Sequence, residues 1–176
     1  MPLQRRLDEH HCIIINRFFP HSKPKPSGYR YRVLLGVGGN VGDTQRRLDH
    51  LWIYLCRCTQ LTPIQSGVIL RNPPFGYAQQ ADFENTVIEI VTSLTPRRLL
   101  RRIWRIEKHF GRKRSFANAP RTLDLDMIFF DNRSIKTREL TVPHRAWKER
   151  LSVLIPLRSL GYNAQKRRRR YENLDL

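Results

Sequence analysis

The chain has 176 residues and a mass of 21.0 kDa, a size at which one domain can bury a core without disulfides or structural metal ions. Hydrophobic residues make up 40% of the chain and charged residues 27%, which excludes a wholly disordered, collagen-like or coiled-coil protein. The 33 Lys and Arg residues against 15 Asp and Glu residues give a net charge of +18, which predicts anionic ligands such as nucleotides or nucleic acid.

The cysteines and the apolar runs bear on the compartment. Cys12, Cys56 and Cys58 form no paired framework, so we predict free thiols in a reducing cytoplasm and neither disulfides nor a zinc site. No apolar run approaches the roughly 20 residues that span a bilayer. The short run that begins at Cys12 is also too short for the core of a signal peptide. We therefore expect a cytoplasmic protein with no membrane partner.

The two ends of the chain differ from its middle. Residues 1–29 are interpreted as an extension, in which the apolar residues between Ile13 and Phe19 predict a short strand. Pro24 and Pro26 then predict an extended linker that need not be ordered. Residues 163–176, with four consecutive arginines, are interpreted as a solvated basic tail, which leaves 30–162 as the folded domain.

The first half of that domain predicts a strand followed by a helix. Residues 31–37 are rich in Val and Leu, which is typical of a strand, and the glycines after them predict a turn. Asp43 or Thr44 is expected to cap a helix. Its apolar residues recur at positions i, i+3, i+4 and i+7, which are Leu48, Leu51, Trp52 and Leu55.

The remaining elements follow in the same way. Residues 67–71 and 83–91 predict two further strands. Thr95 and Pro96 predict the start of a second helix, which ends at Gly111. Residues 112–120 predict a basic loop that is mobile without ligands, 122–130 a fourth strand, and 142–160 short helical pieces.

The order strand, helix, strand, strand, helix, strand predicts an α+β fold of the ferredoxin-like, split βαβ type. We expect an antiparallel four-stranded sheet with helices on one face, followed by short C-terminal helices. The opposite face of the sheet is then available for a ligand.

Two carboxylates stand out on the predicted fourth strand. Alternate strand residues point to one face, so Asp124 and Asp126 are expected to project together. One interpretation is a pair of surface acids bonded to arginines. The other is a site for a hard cation such as Mg²⁺, which carboxylates and substrate phosphates hold together.

Basic and aromatic residues surround these acids. Arg112, Arg114 and Arg121 flank them in a loop, and arginine side chains bind phosphate oxygens two at a time. Carboxylates for Mg²⁺ beside several arginines are typical of phosphoryl-type transfer. Phe83 and Asn85 share one face of their strand, where a ring and an amide can bind a flat heterocycle, although a Phe is also a frequent core residue.

Several of these segments together resemble the 6-hydroxymethyl-7,8-dihydropterin pyrophosphokinase family of folate biosynthesis. The match covers roughly residues 31–160, and its most specific run is Pro120-Arg-Thr-Leu-Asp-Leu-Asp126. The other matching segments are Gly36-Val-Gly-Gly-Asn40, Asn72-Pro-Pro-Phe-Gly76, Asp82-Phe-Glu-Asn85, Ile106-Glu107, Gly111-Arg112 and Thr141-Val-Pro-His144.

The resemblance implies a reaction and its participants. ATP donates its β,γ-pyrophosphoryl group to the hydroxymethyl oxygen of the dihydropterin, which leaves AMP, and two Mg²⁺ ions bridge the phosphates. Both substrates are small molecules, nucleic acid is not expected to bind, and a dihydropteroate synthase is a candidate partner.

The resemblance also implies roles for individual residues. Asp124 and Asp126 correspond to the metal ligands, and Arg112, Arg114 and Arg121 to catalytic, phosphate-binding arginines. The pterin pocket corresponds to Asn72, Pro74, Phe75, Phe83 and Asn85. The ATP contacts correspond to Glu107, Arg112, Arg121, Thr141, His144 and Arg150. For His144 the alternative is a capping or core histidine.

The chain departs from the family pattern at two aromatic positions. Ser152 stands where a phenylalanine commonly stacks on the pterin, and Asn118-Ala119 replaces the usual Trp-Gly. The competing hypothesis is a basic ferredoxin-like module that binds RNA without catalysis. Such modules need exposed aromatic residues on their central strands, and here Asp124 and Asp126 would occupy that face.

Overall fold

An antiparallel sheet of eight strands organises the chain in this computed structural model, which describes residues 2–74, 79–113 and 119–160. The strands are Leu3–Arg6 (β1), Cys12–Ile15 (β2), His21–Ser22 (β3), Tyr31–Gly39 (β4), Leu61–Ser66 (β5), Ile69–Asn72 (β6), Phe83–Thr92 (β7), Asp124–Phe130 (β8), Ile135–Lys136 (β9) and Thr141–Val142 (β10). The helices are Thr44–Cys56 (α1), Pro96–His109 (α2) and Leu151–Arg158 (α3), and a 3₁₀ turn spans Trp147–Glu149.

The sheet places β4 between β7 and β8. Its strand order is β1-β2-β6-β7-β4-β8, β5 also pairs with β7 and carries β3, and β9 and β10 form a separate pair. The sheet is larger than the four predicted strands. β5 escaped prediction because Pro63 argues against a regular strand, and the register between β5 and β7 shifts at that point.

The helices begin where the sequence predicts. The Asp43 carboxylate accepts a hydrogen bond from the Arg46 backbone amide at 3.0 Å, so Asp43 is the N-cap of α1. The predicted apolar positions of α1 are buried. Pro96 occupies the first turn of α2, and Gly111 follows that helix with a positive φ of 79°, a conformation that favours glycine.

Each face of the sheet packs against different helices. Apolar residues of α1 and α2 pack on one face to form the larger core. On the other face Leu34, Val87 and Ile128 pack against Trp147 and Val153, which belong to the 3₁₀ turn and α3. The prediction of helices on one face is therefore wrong in part, because these three apolar strand residues recruit the C-terminal helical pieces.

The N-terminal segment contributes to the same sheet. β2 pairs with β6, which confirms the predicted strand near Ile13, and β3 pairs with β5. Ile14 and Phe19 are buried in the larger core. The domain boundary at residue 29 stays a prediction. Cys12, Cys56 and Cys58 are free thiols, as predicted.

Length and apolar character decide whether a helix can cross a membrane. Within the described ranges none is both long and apolar enough to cross a bilayer.

Candidate active site

Asp124 and Asp126 lie on one face of β8, next to the glycines of β4. Gly38 is the register partner of Asp124, and Gly36 is the partner of Asp126. A Cβ atom at Gly38 would collide with the amide oxygen of Asn85 on the neighbouring strand β7. The missing side chains therefore leave space for Asn85 and the two carboxylates on this face.

Two arginines bind the Asp124 carboxylate. Arg112 Nη1 lies 2.6 Å from Asp124 Oδ1, and Arg121 Nη1 lies 2.7 Å from Asp124 Oδ2. Both carboxylate oxygens of Asp124 thus have a charged partner within the protein. Both arginines were predicted to be phosphate-binding, and the structure brings them to the predicted metal ligand.

Glu107 connects α2 to this cluster. Its side chain is buried, its Oε1 atom accepts a hydrogen bond from the Leu125 backbone amide at 2.9 Å, and it forms an ion pair with Arg112. Leu125 lies on the edge strand β8, so this contact satisfies an amide that has no strand partner there. Burial raises the pKa of Glu107 above its ordinary value, although the bonds from Leu125 and Arg112 oppose that shift.

Within the part of the chain that the structure describes, Asp126 has fewer ion-pair partners than Asp124. Arg150 Nη1 lies 3.9 Å from Asp126 Oδ2, so this ion pair is longer than the two ion pairs of Asp124. Desolvation and then the adjacent Asp124 carboxylate raise the pKa of Asp126, because desolvation disfavours any charge and Asp124 disfavours a second negative charge. Asp126 therefore has the more available carboxylate of the two.

A cleft of about 490 Å³ opens on the α2 side of the carboxylates. Five of the residues predicted to contact ATP line it: Glu107, Arg112, Thr141, His144 and Arg150. The sixth, Arg121, is not among the lining residues. The sequence also gave no signal for Trp104, Arg138 and Arg145, which line the cleft without belonging to a motif.

His144 is held by its backbone at one wall of this cleft. Its amide donates to the Ile128 carbonyl at 3.0 Å, and the Ala146 amide donates to His144 Nδ1 at 3.4 Å. Burial lowers the pKa of His144, although Asp126 opposes that shift. The lowered pKa favours the uncharged form of the ring, which lines the cleft.

A smaller pocket, of about 50 Å³, lies on the other side of the same two carboxylates. Gly36, Gly38, Asn85 and Ser152 line it, and Arg150 borders both pockets. Asn85 Nδ2 donates to Asn72 Oδ1 at 2.8 Å, so two predicted pterin residues on neighbouring strands are joined.

Phe83 and Pro74, two further predicted pterin residues, are not among the residues that line this pocket. Both are half-buried, and the Arg121 guanidinium lies 5.4 Å from the centre of the Phe83 ring. Phe83 is thus a partly exposed aromatic face beside the charged cluster. Two predicted site residues, Phe75 and Arg114, lie outside the described residues, as do Asn118 and most of the predicted basic loop.

The carboxylate pair fits Mg²⁺ only if the substrate supplies further ligands. Nowhere in residues 2–74, 79–113 and 119–160 do three or more His, Cys, Asp and Glu side chains gather into a metal site. Mg²⁺ is commonly held by one or two carboxylates, by water and by substrate phosphates. The donor set of Asp124 and Asp126 beside a cationic cleft matches that mode of binding.

Comparisons with known proteins agree with this geometry. Residues 34–162 match the sequence profile of the family described as 7,8-dihydro-6-hydroxymethylpterin-pyrophosphokinase. The chain is 40% identical to a 2-amino-4-hydroxy-6-hydroxymethyldihydropteridine pyrophosphokinase of Helicobacter pylori over 147 residues, which cover 82% of the chain and 90% of the relative. Proteins with the same description from Campylobacter jejuni and Bacillus subtilis are each 37% identical, over 81% and 75% of the chain and 90% and 79% of the relatives.

Proposed function

The chain belongs to the 7,8-dihydro-6-hydroxymethylpterin-pyrophosphokinase family, and we propose that its reaction takes place at Asp124 and Asp126, between the two pockets. The chain transfers the pyrophosphoryl group of ATP to 6-hydroxymethyl-7,8-dihydropterin in folate synthesis. The observation that carries the proposed location is that both carboxylates line both pockets. A group that passes from one substrate to the other must cross this point.

Asp124 and Asp126 are the proposed ligands of Mg²⁺, and we expect two ions. A bound cation would neutralise phosphate oxygens and lower the cost of the charge that develops during transfer. The position of the two carboxylates on one strand face supports this assignment.

Arg112 and Arg121 are the proposed catalytic arginines, together with Arg114. Arg112 and Arg121 both pair with the Asp124 carboxylate. Phosphate oxygens of ATP offer these guanidinium groups an alternative bidentate partner. If both arginines moved from Asp124 to the phosphates, the Asp124 carboxylate would be released. The arginines would then bring positive charge to the transferring group.

The smaller pocket is proposed as part of the pterin site, together with the adjoining surface at Asn72 and Phe83, because about 50 Å³ alone is less than a small-molecule site occupies. Phe83 offers a ring face for stacking, and Asn72, Pro74, Phe75 and Asn85 are assigned to the same site. The hydrogen bond between Asn72 and Asn85 fixes the direction of both amides, which leaves polar atoms for the edge of a heterocycle. Ser152 lines this pocket where the family commonly has an aromatic ring.

The larger cleft is the proposed ATP site, with Thr141, His144 and Arg150 as direct contacts. Its volume of about 490 Å³ suits a nucleotide, and its arginines complement the triphosphate. Glu107 is also assigned to this site. Its burial and its bonds to Leu125 and Arg112 support a second role, in which it orients Arg112.

The topology supports the finer assignment of the fold. The strands β8-β4-β7-β6 lie side by side, all antiparallel, with α1 between β4 and β6 in the chain and α2 between β7 and β8. We infer a ferredoxin-like core over residues 30–162, to which the other strands are added. Residues 163–176 and a dihydropteroate synthase partner stay predictions.

The proposed chemistry is tested by AMP formation from ATP. We expect AMP only when both Mg²⁺ and 6-hydroxymethyl-7,8-dihydropterin are present, and no AMP in excess EDTA. The matched control is 6-methyl-7,8-dihydropterin, which keeps the pterin ring but lacks the acceptor oxygen. AMP formation at equal rates with both pterins, or in EDTA, would contradict the proposal.

A further inference from the structure

A second cavity of about 490 Å³ lies between the start of α2 and the β9–β10 pair. We name it the α2 cavity. Pro96, Leu100, Ile135 and Leu140 form its apolar walls, and Thr95, Arg97, Thr137, Arg138 and Glu139 complete its lining. This volume lies within the range of roughly 300–1,000 Å³ that small-molecule sites occupy. The pyrophosphoryl transfer described above makes no use of it.

The charged residues of the α2 cavity favour an anion. Arg97 and Arg138 line it, and Glu139 is the only acidic residue among its described lining residues. Among the described residues neither arginine has a hydrogen-bond or ion-pair partner. Free guanidinium groups beside apolar walls can bind a carboxylate or sulfonate through charge-assisted hydrogen bonds.

The α2 cavity is a neighbour of the proposed ATP cleft but is separable from it. Leu100, Arg138, Glu139 and Leu140 line both. Thr95, Pro96, Arg97, Ile135 and Thr137 line the α2 cavity and are not lining residues of the cleft. Changes at these five positions therefore test the α2 cavity without altering residues assigned to ATP.

We propose that the α2 cavity is a binding site for a small amphiphilic anion. The apolar body of this ligand packs against Pro96, Leu100 and Ile135, and its carboxylate or sulfonate pairs with Arg97 and Arg138. The volume limits the occupant to a small molecule, and the two unpaired cations select the sign of its charge. The apolar walls at Pro96, Leu100 and Ile135 favour a ligand with an apolar body over a bare inorganic anion.

The test uses 1-anilinonaphthalene-8-sulfonate, an aromatic sulfonate whose fluorescence rises in apolar surroundings, with the full-length protein and excess ATP. We expect saturable binding at one site that persists in ATP. Arg97→Gln should weaken that binding about tenfold, since it removes a charge-assisted hydrogen bond. Thr95→Trp, which adds a large side chain to the lining, should also weaken it, and Thr95 makes no capping hydrogen bond in α2.

The matched control is Arg98→Gln, an exposed change of the same charge on the next residue, which does not line the cavity. Its affinity for the probe should equal that of the unaltered chain. Displacement of the probe by ATP would overturn the proposal, because the probe would then occupy the cleft. An equal effect of Arg97→Gln and Arg98→Gln, or no effect of Thr95→Trp, would reduce the binding to surface charge and overturn it as well. Thermal unfolding of each variant establishes that it is folded.

Discussion

The two faces of the central sheet differ although the same strands build both. One face of β4 presents Val33, Leu35 and Val37 to the core beneath α1 and α2. The other face presents Leu34 and then Gly36 and Gly38, beside Asn85, Asp124 and Asp126. Apolar side chains continue along the first face, whereas on the second they stop where the carboxylates begin.

This difference shows how one strand can serve stability and chemistry at once. Strand residues alternate between faces, so a glycine opens space on one side and leaves the packing on the other unchanged. The second face carries a cost, because Asp124 and Asp126 repel each other and Asp126 is held with a raised pKa. The first face supplies the burial that offsets such a cost.

The largest expected effect comes from substitutions of the carboxylates on the second face. Asp124→Asn and Asp126→Asn should each lower AMP formation by about a thousandfold or more, since a lost metal carboxylate removes several kcal/mol of charge stabilisation. Both variants should fold, as judged by circular dichroism. The control is Asp43→Asn, which keeps a good N-cap of α1 at a residue that lines neither pocket and should retain full activity. Turnover within about tenfold of normal in both site variants would refute the assignment.

A substitution in the core beneath the first face is expected to lower stability instead. Leu51 of α1 is fully buried, so Leu51→Ala should lower the free energy of unfolding by about 3 kcal/mol through lost contacts and the cavity left behind. Ile53 on the same helix is 37% exposed, and Ile53→Ala should cost far less. Urea unfolding measures both. Equal losses in the two variants would show that α1 does not bury the face assigned to it.

Phe83 tests whether the second face binds the pterin. Phe83→Ala should weaken pterin binding by about 1–3 kcal/mol, as loss of base stacking does elsewhere, and should leave ATP binding unchanged. Phe83→Tyr keeps the ring face and should bind the pterin nearly as well. Calorimetry with a non-hydrolysable ATP analogue measures both ligands. Equal weakening of pterin and ATP would assign Phe83 to the core.

The sequence predicted the parts of the fold that depend on local pattern. The caps and apolar stripes of α1 and α2 repeat with helical spacing, and β4, β7 and β8 alternate or carry long Val, Leu and Ile runs. β1, β3 and β9 are short, and β5 contains Pro63, so their pairing depends on distant partners that no local pattern reveals.

The site shows the same limit. The common face of Asp124 and Asp126 follows from strand periodicity alone. The bonds of Arg112 and Arg121 to Asp124, and the burial of Glu107, depend on how α2 packs beside β8. Trp104, Arg138 and Arg145 enter the cleft by tertiary placement, and nothing in their local sequence distinguishes them from other surface residues.

The smallest expected effect concerns Glu107, whose side chain links α2 to the backbone of β8. Burial raises the pKa of Glu107 in the folded protein. At pH values between its ordinary pKa and the raised value, Glu107 is therefore protonated in the folded protein and ionised in the unfolded chain. Its contribution to stability is therefore fully present below the ordinary pKa and declines as pH rises through the raised value. Glu107→Gln lacks this decline. The free energy of unfolding of the unaltered chain minus that of Glu107→Gln, measured by urea unfolding in EDTA, should thus fall with pH across this window and then level off. Glu149→Gln, at an exposed position, should give a flat difference. A difference that rises with pH for Glu107→Gln would mean that its bonds to Arg112 and Leu125 outweigh its burial.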